Sequence, residues 1–250
     1  GNSVLGSTES VAGLTPAQMR SYFECRYSAA NIVLAAAGNF NWQEFADLAE
    51  KYCGSWQGLP AARDCRVHQP EERSKIVTKK DMQQAHLCFI GPGPSAQEDM
   101  RYPAEVLSCI LGDSSGSRVY WELIDKGLAD SAGVDGEDLD QTGLIYGHVS
   151  SHPETIDEAG EILLGIMKTP RDFTDQALHR AITKLATRVV LQGESSMRRL
   201  MAIGLDWLYR EEYLPLDAEL RRIKAVTRDE IYSMLSLYSF SPTATVKLIP

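Results

Sequence analysis

An α+β fold is what this sequence predicts, and three observations carry it. Short apolar runs stand at 76–77, 85–90, 129–135 and 143–150, amphipathic helices crowd 154–210, and a capped helix followed by an apolar run occurs at both ends of the chain. Strands followed by helices argue for segregated layers, a mixed or antiparallel sheet packed on helices, rather than alternating βαβ units.

Each element has its own justification. Thr15-Pro16-Ala17-Gln18 has the form of a capping box with Pro at the first helical position. Met19, Tyr22, Phe23 and Tyr27 follow at helical spacing. The run Ile32 to Ala37, closed by Gly38-Asn39, reads as a buried strand. A helix over 42–52 puts Phe45, Leu48 and Ala49 on one face. Residues 55–74 hold two prolines and scattered charges without an apolar period, and read as a loop. Ile76-Val77 and Ala85 to Ile90 read as strands, the second ended by Gly91-Pro92-Gly93-Pro94. Helices over 98–111 and 117–126 precede strands over 129–135 and 143–150. Three long helices follow, over 154–168, 172–191 and 195–210, the last opened by a serine cap within Gln192 to Ser196.

Composition narrows the function classes. The chain has 250 residues, 44% of them hydrophobic, and a formal net charge of −9. Phosphate neutralisation needs surplus Lys and Arg, so nucleic acid is excluded as the main partner, and an anionic membrane surface with it. No apolar run approaches the ~20 residues of a membrane-spanning helix. Cys25, Cys53, Cys65, Cys88 and Cys109 are odd in number, widely spaced and free of any CxxC, which reads as reduced thiols in a cytoplasm-like compartment rather than a zinc or disulfide framework.

The tail repeats the head without gaps, 212 residues on, from Thr15 to Thr227. Leu14-Thr15-x-x-Gln18-Met19-x-x-Tyr22-Phe23, then Asn31 to Leu34, aligns with Val226-Thr227-x-x-Glu230-Ile231-x-x-Met234-Leu235, then Thr243 to Val246. Either two capping boxes coincide or the chain carries a duplication. The matching apolar run and the upstream pairs Val11/Ile223 and Leu14/Val226 favour duplication. The division that follows is 1–58 as the C-terminal remnant of a first module, 59–74 as linker, and 75–250 as a second, complete or nearly complete module. Most of the first module is then expected before Gly1.

Gly1 to Gly6 (GNSVLG), LTPAQMRSYFECRYSAANIVLAAAGN, AEKYCG, LGDSSGSRVYWELIDKGLADSAG and HVSSHPE, in this order, resemble the insulinase, pitrilysin and mitochondrial processing peptidase family, with the bacterial processing-peptidase-like branch nearest. The resemblance implies duplicated α+β peptidase modules facing each other across a cavity, the first truncated here. It implies an H-x-x-E-H helix, supplying two zinc ligands and a Glu general base, with a further Glu ligand downstream, all ahead of Gly1. Zinc would belong to the parent protein, with no catalytic or metal residue in this chain. None of His68, His86, His148, His152 and His179 fits H-x-x-E-H. His148-x-x-x-His152 has ligand-like spacing, but it ends a strand and meets Pro153. The implied partners are peptides or unfolded protein segments and the missing N-terminal half or a homologous subunit, with a homodimer also open; the implied location is the bacterial cytoplasm.

The loop after residue 111 poses the sharpest question. GDSSGS matches neither G-x-x-x-x-G-K-[ST] nor G-x-G-x-x-G, which excludes a phosphate cradle. Read by its residues alone, Ser115 or Ser117 caps a helix that buries Val119, Tyr120 and Leu123. The resemblance implies in addition that this loop and helix border the cavity and meet substrate. Gly112, Ser114, Ser115, Gly116, Arg118, Lys126 and Asp130 are the candidate substrate-binding residues. Family members carry E-x-R-x-x-x-G-L-x-Y on this helix, whose Arg and Tyr assist the tetrahedral oxyanion. Here the stretch Glu122 to Asp130 is one residue shorter, Ile124 falls near the Arg position and Asp130 near the Tyr position. Lys126 or Arg118 could supply a cation in their place. The alternative this keeps open is a non-catalytic subunit that binds peptide for an active partner.

Overall fold

A computed structural model describes residues 4–58 and 71–250. The chain divides into two compact units, Gly1–Cys65 and Arg66–Pro250.

Among the described residues the first unit holds three α-helices, α1 (Thr8–Ala12), α2 (Pro16–Arg26) and α3 (Trp42–Cys53). The predicted capping box forms at α2: the Gln18 N–H donates to Thr15 Oγ1 at 3.3 Å, and the Thr15 N–H donates to Gln18 Oε1 at 2.9 Å. Asn41 caps α3, accepting from the Gln43 and Glu44 amides. None of the three helices buries a residue. The strand expected over 32–37 does not form. Ile32 has extended backbone, but among the described residues no strand pairs with it, and a lone strand leaves its amides and carbonyls unpaired. The linker expected over 59–74 lies mostly outside the described residues, as do Cys65 and His68.

The second unit opens with β1 (Arg73–Thr78), two residues inside the predicted loop. It continues through β2 (Ala85–Gly93), α4 (Arg101–Gly112), β3 (Ser131–Leu139), β4 (Thr142–Ser151), α5 (Ile156–Lys168), α6 (Asp175–Gly193), α7 (Ser196–Arg210), α8 (Leu216–Ala225), α9 (Arg228–Leu237) and β5 (Ala244–Ile249). The five strands make one sheet in the order β1-β5-β2-β4-β3. β1 and β5 run parallel and the other neighbours antiparallel, so the sheet is mixed. β2 runs three residues past its predicted end, through Pro92. β4 accompanies it to Gly93, whereas β5 pairs only as far as Ile90, so on that side no ladder bond is lost to the missing proline N–H.

Burial alternates strictly along β2, as a half-covered strand requires. Leu87, Phe89, Val134, Ile145 and Val149 face the helices. There they meet Leu107 and Leu111 of α4, Leu163 and Ile166 of α5, and Ile231 and Met234 of α9 in one core. Fully burying side chains of this size contributes roughly 1.5–3 kcal/mol each. The opposite face carries His86, Cys88, Tyr146, His148 and Ser150, mostly half-buried. α6 and α8 pack behind α4 as an outer layer.

Candidate functional site

The predicted loop is built on a close approach. Gly112 ends α4 directly against β3, where a Cβ would overlap the backbone of Val134. The chain then leaves the helix at Asp113, which anchors the loop to α6. Its carboxylate accepts from Arg188 Nη2 at 2.8 Å, from the Ser114 amide at 2.6 Å and from Cys109 Sγ at 3.4 Å, and lies 3.0 Å from Lys184 Nζ. Desolvation alone would raise this carboxyl, but Lys184, the Ser114 amide, Cys109 and Arg188 outweigh it and hold it at about 2. The same surroundings push the Cys109 thiol the other way: burial first, then the Asp113 charge and hydrogen bond, raise it to about 12. Cys109 is therefore no nucleophile.

Ser114, Ser115 and Gly116 form the exposed tip, with Lys184 Nζ 3.2 Å from Ser114 Oγ. Gly116 has φ +85°, a conformation that suits glycine. Ser115 and Gly116 border a hollow of about 90 Å³ against α6. Of the two candidate caps, Ser117 is the one that acts: it is buried, and its Oγ accepts from the Tyr120 amide at 3.1 Å. The following helix widens over Tyr120–Ile124, with i+5 bonds from the Asp125 amide to Tyr120 O and from the Leu128 amide to Leu123 O. Such widened turns are frequent at functional sites.

The two candidate cations differ. Arg118 is spent on the fold, donating to Thr169 O at 2.7 Å and to Thr169 Oγ1 at 3.0 Å. Lys126 is exposed, with no hydrogen bond or ion pair among the described residues. Asp130 accepts from Gln84 Nε2 at 2.9 Å. Ile124 packs against the core, so its position presents no polar group. The loop thus unites Gly112, Ser114, Ser115 and Gly116 on one firm base, with Arg118 tied to the end of α5 and Lys126 and Asp130 further along.

The described residues do not fit zinc. Among the described residues no group of three His, Cys, Asp or Glu could hold a metal ion. His148 lies on β4 and His152 just past its end, and four residues of strand span ~13 Å, too far for one ion. Asp113, with Lys184 and Arg188, was not among the predicted site residues. Its signal was the Lys-x-x-x-Arg spacing that places both cations on one face of α6. Among the described residues Cys25, Cys53, Cys88 and Cys109 are free thiols, and no helix is long and apolar enough to cross a membrane.

A five-stranded mixed sheet with helices layered on one face, and a glycine-tight loop leading from α4 toward β3, define an α+β module. Residues 13–185 match the family described as the peptidase M16 inactive domain, and the chain belongs to that family. It is 27% identical to an uncharacterised zinc protease of Bacillus subtilis, over 92% of this chain and 57% of that protein. It is 22% identical to the mitochondrial-processing peptidase subunit beta of Pongo abelii, over all of this chain and 53% of the relative. The crystal structure of a peptidase M16 inactive domain from Pseudomonas fluorescens superposes with a TM-score of 0.87 at 17% identity, covering 98% of this chain and 60% of that one. The chain thus spans about half the length of the curated relatives it matches.

Proposed function

We propose that this chain is the inactive-type half of a zinc-dependent endopeptidase and forms one wall of the cavity in which peptides are cut. Zinc and its general base belong to a preceding homologous half. The observation that carries this reading is the pair of matched copies: α9 is buried in a sheet-and-helix module, while the corresponding residues of α2 are exposed. The curated relatives, about twice as long and named zinc proteases, leave length for a further half, which in this reading covers α2. The substrates are peptides or unfolded segments, bound extended. β1 and β3, the edge strands of the sheet, offer unpaired backbone for such a strand. The Gly112–Gly116 loop, with Lys126 and Asp130, faces substrate in this reading, and the location is the bacterial cytoplasm.

One observation favours a second reading, a non-catalytic subunit that holds peptide for an active partner. Arg118, a candidate cation, is tied to Thr169, and Ile124 falls near the position where the family resemblance implies an Arg. The test is metal content and peptide hydrolysis of the full-length protein. Zinc with chelator-sensitive cleavage supports the endopeptidase; absence of both sinks it in favour of the holding subunit. By itself, the 250-residue chain is expected to cover α2 by self-association, and light scattering that finds a clean monomer at high concentration counts against this.

A further inference from the structure

The second unit holds a cleft of about 320 Å³ between α4, α6, α8 and the end of β3, which meets the base of the loop at Cys109 and Asp113. Six carboxylates and two guanidiniums line it. Both guanidiniums are already engaged. Arg188 bonds Asp113 at 2.8 Å; Arg101 lies 3.5 Å from Asp138 and stacks over the Tyr102 ring, 4.3 Å from its centroid. Glu105, Asp135, Glu137 and Glu219 remain, with no hydrogen bond or ion pair among the described residues. Crowding has a consequence. Desolvation pushes the carboxyls of Glu105, Asp135 and Glu219 above their ordinary value, with Glu219 and Asp138 adding repulsion at Glu105.

A second, independent observation concerns a neutral group. Ser108 of α4 is 5% exposed and lines this cleft, yet its Oγ has no hydrogen-bond partner. A buried hydroxyl without a partner costs free energy, which a donor entering the cleft would recover. Gly136 of β3 stands opposite, and its missing side chain leaves room before the hydroxyl.

The spread of the acceptors selects the ligand. The described residues contain no carboxylate trio close enough for a metal ion, so the negative charge is strung along the cleft rather than gathered at a point. An ammonium group carries three donors and no acceptor. We propose that this cleft binds an organic cation bearing ammonium groups, with Ser108 Oγ and the Glu105 and Glu219 carboxylates as acceptors. The ammonium comes from a free polyamine or from a lysine side chain of a polypeptide. The inference does not depend on the peptidase reading.

Isothermal titration of the 250-residue chain tests it, with spermidine, a blocked Ala-Ala-Lys-Ala-Ala peptide and magnesium chloride as separate probes. One saturable site for spermidine or the peptide is expected. Glu105→Gln and Glu219→Gln each weaken it about tenfold or more, as loss of a charge-assisted bond requires. Ser108→Ala weakens it by a smaller factor, and the exposed control Asp229→Asn leaves it unchanged. Spermidine binding without peptide binding assigns the site to free polyamines; peptide binding as tight or tighter assigns it to lysine side chains. Both glutamines relieve a crowded carboxylate, so these variants are expected to melt no lower than the parent. The proposal is overturned if neither probe saturates, if the glutamine variants bind like the parent, or if magnesium occupies the site in competition.

Discussion

The two capped helices, α2 and α9, share a capping box and differ in what lies against them. Their caps are the same. In α9 the Glu230 amide donates to Thr227 Oγ1 at 3.2 Å, and in α2 the Gln18 amide donates to Thr15 Oγ1 at 3.3 Å. Yet Met19, Tyr22 and Phe23 are 59%, 63% and 57% exposed, while their counterparts Ile231, Met234 and Leu235 are 0%, 0% and 6% exposed. The segment after each helix repeats the contrast. β5 lies between β1 and β2, whereas 32–37 has no ladder. Helix formation is therefore local, fixed by the cap and by Pro16, while strand formation waits for partners such as β1 and β2 give β5.

The largest expected effect tests this contrast directly. Ile231→Ala or Met234→Ala should cost about 2–5 kcal/mol in urea unfolding, because a cavity opens in a closed core. Met19→Ala should stay within about 0.5 kcal/mol. An equal loss at Met19 would break the comparison, since α2 would then have a covered face after all. Joined to its proposed upstream half, the same Met19→Ala should become costly, which would sharpen the contrast into a measurement of the missing interface.

Gly112→Ala comes next. The added methyl meets backbone, not a movable side chain, so α4 and β3 must separate. A loss of about 1–3 kcal/mol or more is expected. At the exposed tip, Gly116→Ala meets no atom within 4 Å, and only its positive φ is penalised, by about 1–2 kcal/mol. If Gly116→Ala proves the worse, the loop's firmness lies in its tip rather than its base.

Asp113 provides a pH signature. Its folded value of about 2 lies below the ordinary 3.8. The depressed carboxyl therefore contributes stability above about pH 4, and the contribution is lost as pH falls toward 2. The shift corresponds to about 2 kcal/mol. Asp113→Asn should flatten the acid limb of a stability-against-pH curve; an unchanged limb would mean that Lys184 and Arg188 do not grip the loop in solution.

Much of this was legible from the sequence. Both capping boxes and the helices over 42–52 and 195–210 could be read from residues and spacing, and the family from a resemblance spread along the chain. What was not legible depended on contacts across the chain. The strand over 32–37 has the right residues but no neighbours. The role of Gly112 comes from β3, more than twenty residues on. Asp113 looks like an ordinary loop acid until α6 brings Lys184 and Arg188 to it. Ser115 and Ser117 were equivalent as caps until the backbone showed which one meets the Tyr120 amide.

The smallest expected effect discriminates most finely between the copies. Thr15→Ala and Thr227→Ala remove the same cap, and each should cost its own helix about 1 kcal/mol. The cost should be read differently in the two places. Because α9 is part of the core, unfolding it unfolds the second unit, so Thr227→Ala should lower the urea midpoint of the whole transition. α2 buries nothing, so Thr15→Ala should leave that midpoint unchanged and only speed amide exchange in residues 16–26. The helix dictated by its own sequence would then be the one whose cap matters locally, and the helix held by its neighbours the one whose cap matters globally. A shared midpoint shift from both variants would mean that the two units unfold together, and that α2 draws on contacts its exposure does not show.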